Sequence, residues 1–239
     1  MFGLLRLLTP FIGAERSHDA TVKLLHLLGK VPGAKWLMHR LYAVEDPALE
    51  REVFGIHFRN PIGMAAGFDR NGEIISELGA LGFGFVEIGT VTPQPQHGNT
   101  KPRVFKLDDD HAILNRIGLS SQGFERVISN IREGNKGVVI GCNIGKNSAT
   151  DPEDAPHDYL RVFRNLYQYV DYFTVNVSYN TSFKQYVPRT REDIISILEP
   201  LFDFRRGQNQ YRPILLKISP DLSNEDIDMM TDIMVDTPL

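Results

Sequence analysis

From Asn60 onward the sequence repeats one unit: a short apolar segment, a polar or glycine-rich turn, and an amphipathic segment with helical spacing. The apolar segments fall at 61–66, 84–90, 137–143, 172–178 and 213–219, with helical patterns near 73–81, 123–133, 155–169, 191–204 and 223–235. Strands alternating with helices pair in parallel through right-handed crossovers, so a parallel α/β sheet is expected. The strands end in Ala65-Ala-Gly-Phe-Asp-Arg70, Glu87-Ile-Gly-Thr90, Asn143-Ile-Gly-Lys-Asn147, Asn176-Val-Ser-Tyr-Asn180 and Lys217-Ile-Ser-Pro-Asp221. Polar groups at the carboxyl ends of consecutive parallel strands converge on one face, where barrel and doubly wound enzymes carry their sites. Asn, Gly and Ser also make ordinary turns after strands. Five such ends in succession, with amide side chains among them, favour a ligand site.

Residues 1–45 have a different texture and read as short helices. Ser17 can cap a helix carrying Val22, Leu24, Leu25, Leu27 and Leu28, ended by Gly29 and Pro32. A second helix spans about 34–41 and carries the single tryptophan, Trp36, and 53–58 alternates like a strand. Ser223 with Asp226 reads as a capping box opening the last helix. Two units result: a helical extension over 1–45 and an α/β body over 46–239. The first thirteen residues are apolar but are interrupted by Arg6 and Pro10, well short of the ~20 apolar residues a spanning helix needs. They form either a helix packed on the body or one lying in a membrane surface through Phe2, Leu4, Leu5, Leu7, Leu8, Phe11 and Ile12.

A net charge of −4 argues against a nucleic-acid binder, which would cluster Lys and Arg. The single cysteine, Cys142, excludes an internal disulfide framework or a cysteine-rich metal site. The histidines lack metal-ligand spacing, so no metal is expected. No dinucleotide-binding glycine fingerprint or P-loop occurs.

Asn60-Pro-Ile-Gly-Met-Ala-Ala-Gly-Phe-Asp-Arg-Asn-Gly-Glu73, Glu87-Ile-Gly-Thr-Val-Thr-Pro93, Lys101-Pro-Arg-Val-Phe105, Asn115-Arg-Ile-Gly118 and Asn143-Ile-Gly-Lys-Asn147 together resemble the dihydroorotate dehydrogenase family. The helical extension with Glu15-Arg-Ser-His18 is similar to its quinone-dependent, membrane-associated class. The resemblance covers essentially the whole chain. It implies a (β/α)8 TIM-type barrel that binds FMN, oxidises dihydroorotate to orotate in pyrimidine synthesis and passes electrons to a quinone. It also implies peripheral attachment to the cytoplasmic face of a membrane.

Carried over by position, the resemblance implies that Ala66, Gly67, Phe68, Asp69, Arg70 and Thr90 line the flavin, with Asn143, Asn176 and Lys217 bonding it. Arg70, Asn115, Arg116, Ile117, Gly118, Leu119, Asn176 and Asn180 would hold the substrate, and His18 and Lys106 the quinone. Fixed amide donors suit a planar anion, and a cation such as Lys217 suits a reduced flavin. A base must take the C5 proton opposite the flavin. The family reads Asn-x-Ser-Ser-Pro-Asn-Thr where this chain reads Asn176-Val-Ser-Tyr-Asn-Thr181, one residue shorter, so either Ser178 or Tyr179 occupies the base position. Arg70 stands for the usual lysine, Leu119-Ser-Ser121 for Phe-Asn-Asn, and Lys106 for the usual arginine. An arginine for lysine at a tight site changes the geometry of recognition.

The 239 residues include five of the eight expected strand–helix units, ending after the helix that follows the fifth. As an isolated polypeptide it is expected to bind FMN weakly or not at all and to turn over little; within a longer chain that objection disappears. Two alternatives stay open: a non-catalytic relative serving as a binding or membrane-docking module, and an FMN barrel oxidoreductase with another substrate.

Overall fold

The computed structural model describes residues 13–107, 109–133, 137–178 and 190–236. Helices α1 (Ala14–Gly29) and α2 (Ala34–Tyr42) open the described chain, followed by a hairpin of β1 (Arg51–Val53) and β2 (Ile56–Phe58). Then come β3 (Gly63–Met64), α3 (Ile75–Ala80) and β4 (Phe85–Val91). A second hairpin, β5 (Val104–Leu107) and β6 (Ala112–Asn115), precedes α4 (Phe124–Glu133). The chain closes with β7 (Val139–Ile144), α5 (Ala155–Leu166), β8 (Tyr172–Asn176), α6 (Arg191–Arg206), β9 (Ile214–Lys217) and α7 (Asn224–Asp236).

The central sheet has the order β3-β4-β7-β8-β9, every pairing parallel. Its strands follow chain order without a reversal, which is barrel winding, whereas a doubly wound sheet reverses order at a switch point. Strand alternation gives the sheet two different faces. Val86, Ile88, Ile140, Cys142, Ile144, Phe173, Val175 and Ile214 lie in one buried apolar cluster with residues of the helices. From α4 come Val127 and Ile131, from α5 Tyr159, Val162, Phe163 and Leu166, and from α6 Ile194, Ile197, Leu198, Leu201 and Phe202. Burial of this face drives the fold. The opposite face carries the polar residues described below.

Four local features differ from the sequence expectations. The segment 53–58 is not one strand but part of a hairpin, because Phe54 and Gly55 both take positive φ (54° and 74°) and turn the chain. Strand β3 is only two residues long, against the six expected. Helix α1 starts at Ala14, so Ser17 lies inside it and does not cap it; Gly13 is the N-cap. The stretch 92–122, to which the sequence pattern gives no strand or helix, contains the antiparallel β5–β6 hairpin; its segments Val104–Leu107 and Ala112–Asn115 do not alternate and are largely exposed. A capping box of Thr190 with Asp193 opens α6, and at the start of α7 Asp226 N–H donates to Ser223 Oγ at 3.1 Å, the serine's part of the expected box.

Candidate functional site at the strand ends

Gly141 on the polar face has no side chain, and the Tyr172 ring lies across it: a Cβ there would stand 2.1 Å from the ring. The Tyr172 hydroxyl thereby reaches Glu87 Oε2, donating at 3.2 Å. Thr174 Oγ1 donates to the same oxygen at 2.9 Å, and Asn143 Nδ2 to Glu87 Oε1 at 3.0 Å. Burial and the adjacent carboxylate push the Tyr172 hydroxyl well above its ordinary pKa, so it stays a donor.

Toward the strand ends the network continues. Thr90 Oγ1 donates to Asn143 Oδ1 at 2.6 Å, and Asn176 Nδ2 donates to Thr90 Oγ1 at 3.1 Å. Asn176 Oδ1 accepts from both the backbone N–H and the hydroxyl of Ser178, at 3.1 and 3.0 Å. Asn176 is held from behind by Tyr159, whose hydroxyl donates to the Asn176 carbonyl at 2.8 Å. Glu87, Asn143, Thr90, Asn176 and Ser178 thus form one connected chain across β4, β7 and β8. Each amide has two N–H groups and spends one within the cluster, so Asn143 and Asn176 each keep one for a ligand. Lys217 is paired in register with Asn176 on β9 and its side chain is exposed.

The loop after β3 closes one side. Gly67 N–H donates to the Gly89 carbonyl at 2.9 Å. Buried Asp69 accepts from the backbone N–H groups of Glu73 and Ile74 at 2.8 and 2.9 Å, fixing the approach to α3. Burial pushes the Asp69 carboxyl up to about 6, partly offset by those two donors. The folded chain therefore holds a proton between 3.8 and about 6 that the unfolded chain has lost. This group's contribution to stability is fully present below the lower value and is lost as the pH rises through the upper, by at most about 3 kcal/mol. Urea denaturation should show the stability of the wild type relative to Asp69→Asn falling from about pH 4 to pH 7; parallel pH profiles for the two would contradict it.

A cavity of about 690 Å³ lies between α1 and the loops after β3 and β4, and Arg70 lines it with Glu15, His18, Asp19, Phe68 and Gln96. His18 Nε2–H donates to the Phe68 carbonyl at 2.8 Å, and the two rings meet edge to face at 5.1 Å. Arg103 is held by Glu15 at 2.7 Å and by the carbonyls of His97 and Asn99, while Lys101 reaches Glu15 at 3.1 Å. Helix α1 is thereby tied to the site loops although it buries no residue fully.

The expected site residues separate into three groups. Thr90, Asn143, Asn176 and Ser178 are brought into one network, with Lys217 at its edge. Leu119 joins them: a Cβ on Gly145 would meet Thr90 Cγ2 at 2.8 Å and Leu119 Cδ1 at 3.1 Å. Arg70 and His18 line the α1 cavity. Asn115 and Arg116 are exposed where β6 ends, and Lys106 is exposed on β5 and does not line the α1 cavity. Tyr179, Asn180 and the apolar residues 2–12 lie outside the described residues.

Sequence reasoning gave no role to Glu87, Tyr172, Thr174 or Gln96. A carboxylate inside an otherwise apolar strand was the available signal for Glu87. Gln96 links two loops: its Nε2 donates to the Leu119 carbonyl at 2.5 Å, and its Oε1 accepts from Asn147 Nδ2 and Ser148 N–H at 3.0 and 2.8 Å. No group of metal-ligating side chains occurs among the described residues.

A parallel sheet wound in chain order, with helices on one face and amides, a hydroxyl and a lysine at its carboxyl ends, defines a β/α-barrel type of ligand-binding protein. The family model described as dihydroorotate dehydrogenase matches residues 48–239, and the chain belongs to that family. The chain is 43% identical over 225 residues to the dihydroorotate dehydrogenase (quinone) of Christiangramia forsetii, covering 94% of this chain and 66% of that protein. It is 39% identical to that of Roseiflexus sp., covering 95% and 63%. The structure of DHODH from Eimeria tenella in complex with ferulenol superposes with a TM-score of 0.83 at 30% identity, covering 98% of this chain and 67% of that one. The chain thus spans just under two thirds of the length of these two curated relatives.

Proposed function

We propose that the strand-end network holds FMN and dihydroorotate, and that the chain serves the oxidation of dihydroorotate to orotate with a quinone as acceptor. The observation that carries this is the Thr90–Asn143–Asn176 chain of hydrogen bonds, which leaves one N–H on each amide beside an exposed lysine. That donor set fits a flavin: amide N–H groups suit its ring carbonyls and ring nitrogen, and a cation suits the negative charge of its reduced form. When bound, FMN supplies a two-electron acceptor for the hydride from C6 of the substrate.

The chain's own residues do the rest. Asn143 and Asn176, oriented by Thr90 and Glu87, fix the plane of the ligands at no cost in reorganisation. Main chain from Ala66 to Asp69, held by the Gly67–Gly89 bond and the Asp69 cap, would help to hold the flavin. Gly118 and Leu119 cover the substrate, with Asn115, Arg116, Ile117 and Asn180 contributing from the same and the following loops. Ser178 Oγ, which donates to Asn176, would turn to take the C5 proton while its own hydroxyl proton is released to solvent, or the Tyr179 hydroxyl would do so by the same exchange.

Residues 1–45 form the acceptor-side extension, with His18 in the α1 cavity and Lys106 outside its lining. Leu24, Leu27, Val31, Trp36, Leu37 and Leu41 of this extension are exposed apolar residues. That supports peripheral docking on a membrane surface; the cytoplasmic face is implied by the family resemblance alone. No helix among the described residues is long and apolar enough to cross a membrane.

FMN titration of the wild type against Lys217→Gln tests the cofactor reading, since free FMN fluoresces and binding quenches it. Losing one charge-assisted contact should weaken FMN about tenfold. Equal affinities would remove Lys217 from the site.

A further inference from the structure

Gln96 stands where the loops after β4, β6 and β7 meet, and main chain on both sides fixes its amide. Its Nε2–H donates to the Leu119 carbonyl at 2.5 Å, and its Oε1 accepts from Ser148 N–H at 2.8 Å and Asn147 Nδ2 at 3.0 Å. A carbonyl on one side and an N–H on the other allow one orientation only, and an amide is the group that offers both a donor and an acceptor there. The backbone of Gln96 also pairs with Ser121 in both directions, at 2.9 and 3.0 Å. Asn99 extends the contact: its N–H donates to the Ile117 carbonyl at 2.9 Å and its Nδ2 to the Arg116 carbonyl at 2.7 Å. Residues 96–99 therefore hold the segment 116–121 by four of its carbonyls.

The far end of Gln96 rests on a fixed support. Asn147 Oδ1 accepts from Gln94 N–H at 2.9 Å, and Asn147 N–H donates to buried Asp158 of α5 at 2.9 Å. Asp158 also accepts from Thr150 Oγ1 at 2.6 Å. Leu119 is thus joined to the loop after β7 twice, through its carbonyl by way of Gln96 and through its side chain, which with Thr90 crowds the position a Gly145 Cβ would take.

We propose that Gln96 is a positioning residue: acting through the Leu119 carbonyl and without touching a ligand, it sets how closely the segment 117–121 lies over the Thr90–Asn143–Asn176 network. It thereby sets the affinity for orotate and dihydroorotate and leaves that for FMN unchanged, because Asn143, Asn176 and Lys217 stand on strands that Gln96 does not touch. This rests on the functional reading for the identity of the ligand under the segment.

Two variants test it. Gln96→Glu keeps the acceptor for Asn147 and Ser148 but sets a carboxylate oxygen against the Leu119 carbonyl, and Gln96→Leu removes both arms without adding charge. In hydrogen exchange of the ligand-free 239-residue chain, read by mass spectrometry, peptides covering 117–121 should exchange about tenfold faster in both variants, with β7 peptides at the wild-type rate. In protein loaded with FMN, orotate, followed by the change it makes in the flavin's visible spectrum, should bind about tenfold more weakly in both variants, with FMN affinity unchanged. Circular dichroism separates a displaced segment from a lost fold. Wild-type exchange over 117–121 in both variants overturns the proposal. So does an equal loss of FMN and orotate affinity, which would make Gln96 a general support of the fold, and so does an orotate loss confined to Gln96→Glu, which would be repulsion between two anions. A wild type that takes up FMN but no orotate overturns the functional reading and the affinity role with it; the exchange result, obtained without ligand, decides the positioning separately.

Discussion

Replacing Glu87 with leucine should destabilise the fold by about 3 kcal/mol, because three donors lose their only shared acceptor inside the sheet. Tyr172, Thr174 and Asn143 all point at this carboxylate from two neighbouring strands. Leucine is close enough in volume that packing changes little, so the loss is one of polar satisfaction. For a chain of this size it corresponds to a melting temperature lower by roughly 6–12 °C. Glu87→Gln sharpens the reading. Its amide can still accept from Tyr172 and Thr174, but its N–H groups then face Asn143 Nδ2, and turning Asn143 over would break the Thr90 bond to Oδ1. An intermediate loss is therefore expected. Thermal melts by circular dichroism decide the matter, and wild-type stability in Glu87→Leu would mean that the carboxylate does not organise the strand ends.

The second large effect belongs to Asn176. Buried at the end of β8, it touches three parts of the site: Thr90 through its amide, and the Ser178 backbone and hydroxyl through its carbonyl oxygen. Asn176→Ala should weaken FMN and orotate by about 10- to 100-fold, the range for losing hydrogen bonds to charged or strongly polar groups. Asn176→Asp keeps the acceptor for Ser178 but has no N–H for Thr90 or the ligand, and adds a like charge beside orotate. It should be at least as damaging. The measurement is quenching of FMN fluorescence with and without orotate, and near-wild-type affinity in both variants would place the ligands elsewhere.

Much of this architecture was legible because burial writes itself into strand and helix periodicity. The five strands of the sheet and the helices after them fell within a few residues of their observed places, and Thr90, Asn143 and Asn176 were identifiable as amides and hydroxyls at strand ends. What stayed illegible depends on contacts distant in sequence. Glu87 is explained only by Tyr172 and Thr174, some 85 residues later, and by a bare Gly141 that lets the ring pass. Arg70 was assigned to the flavin and substrate by position; in the structure it is among the residues lining the cavity under α1, a placement that the sequence pattern does not carry. The hairpin at 51–58 was misread because alternation continues on both sides of Phe54-Gly55, and positive φ at a phenylalanine has no clear sequence mark. Asn115 and Lys106 sit on a hairpin that sequence reasoning took for a plain connection, so their exposure could not be foreseen.

The central claim is that the strand ends of this chain hold FMN and dihydroorotate together. Its most direct test is the visible spectrum of the protein at saturating FMN, recorded without oxygen before and after adding dihydroorotate. The expected result is bleaching of the flavin band by dihydroorotate, abolished in Asn176→Ala and reversed by adding a quinone. A flavin band that dihydroorotate leaves unchanged, in a protein that has taken up FMN, would contradict the account.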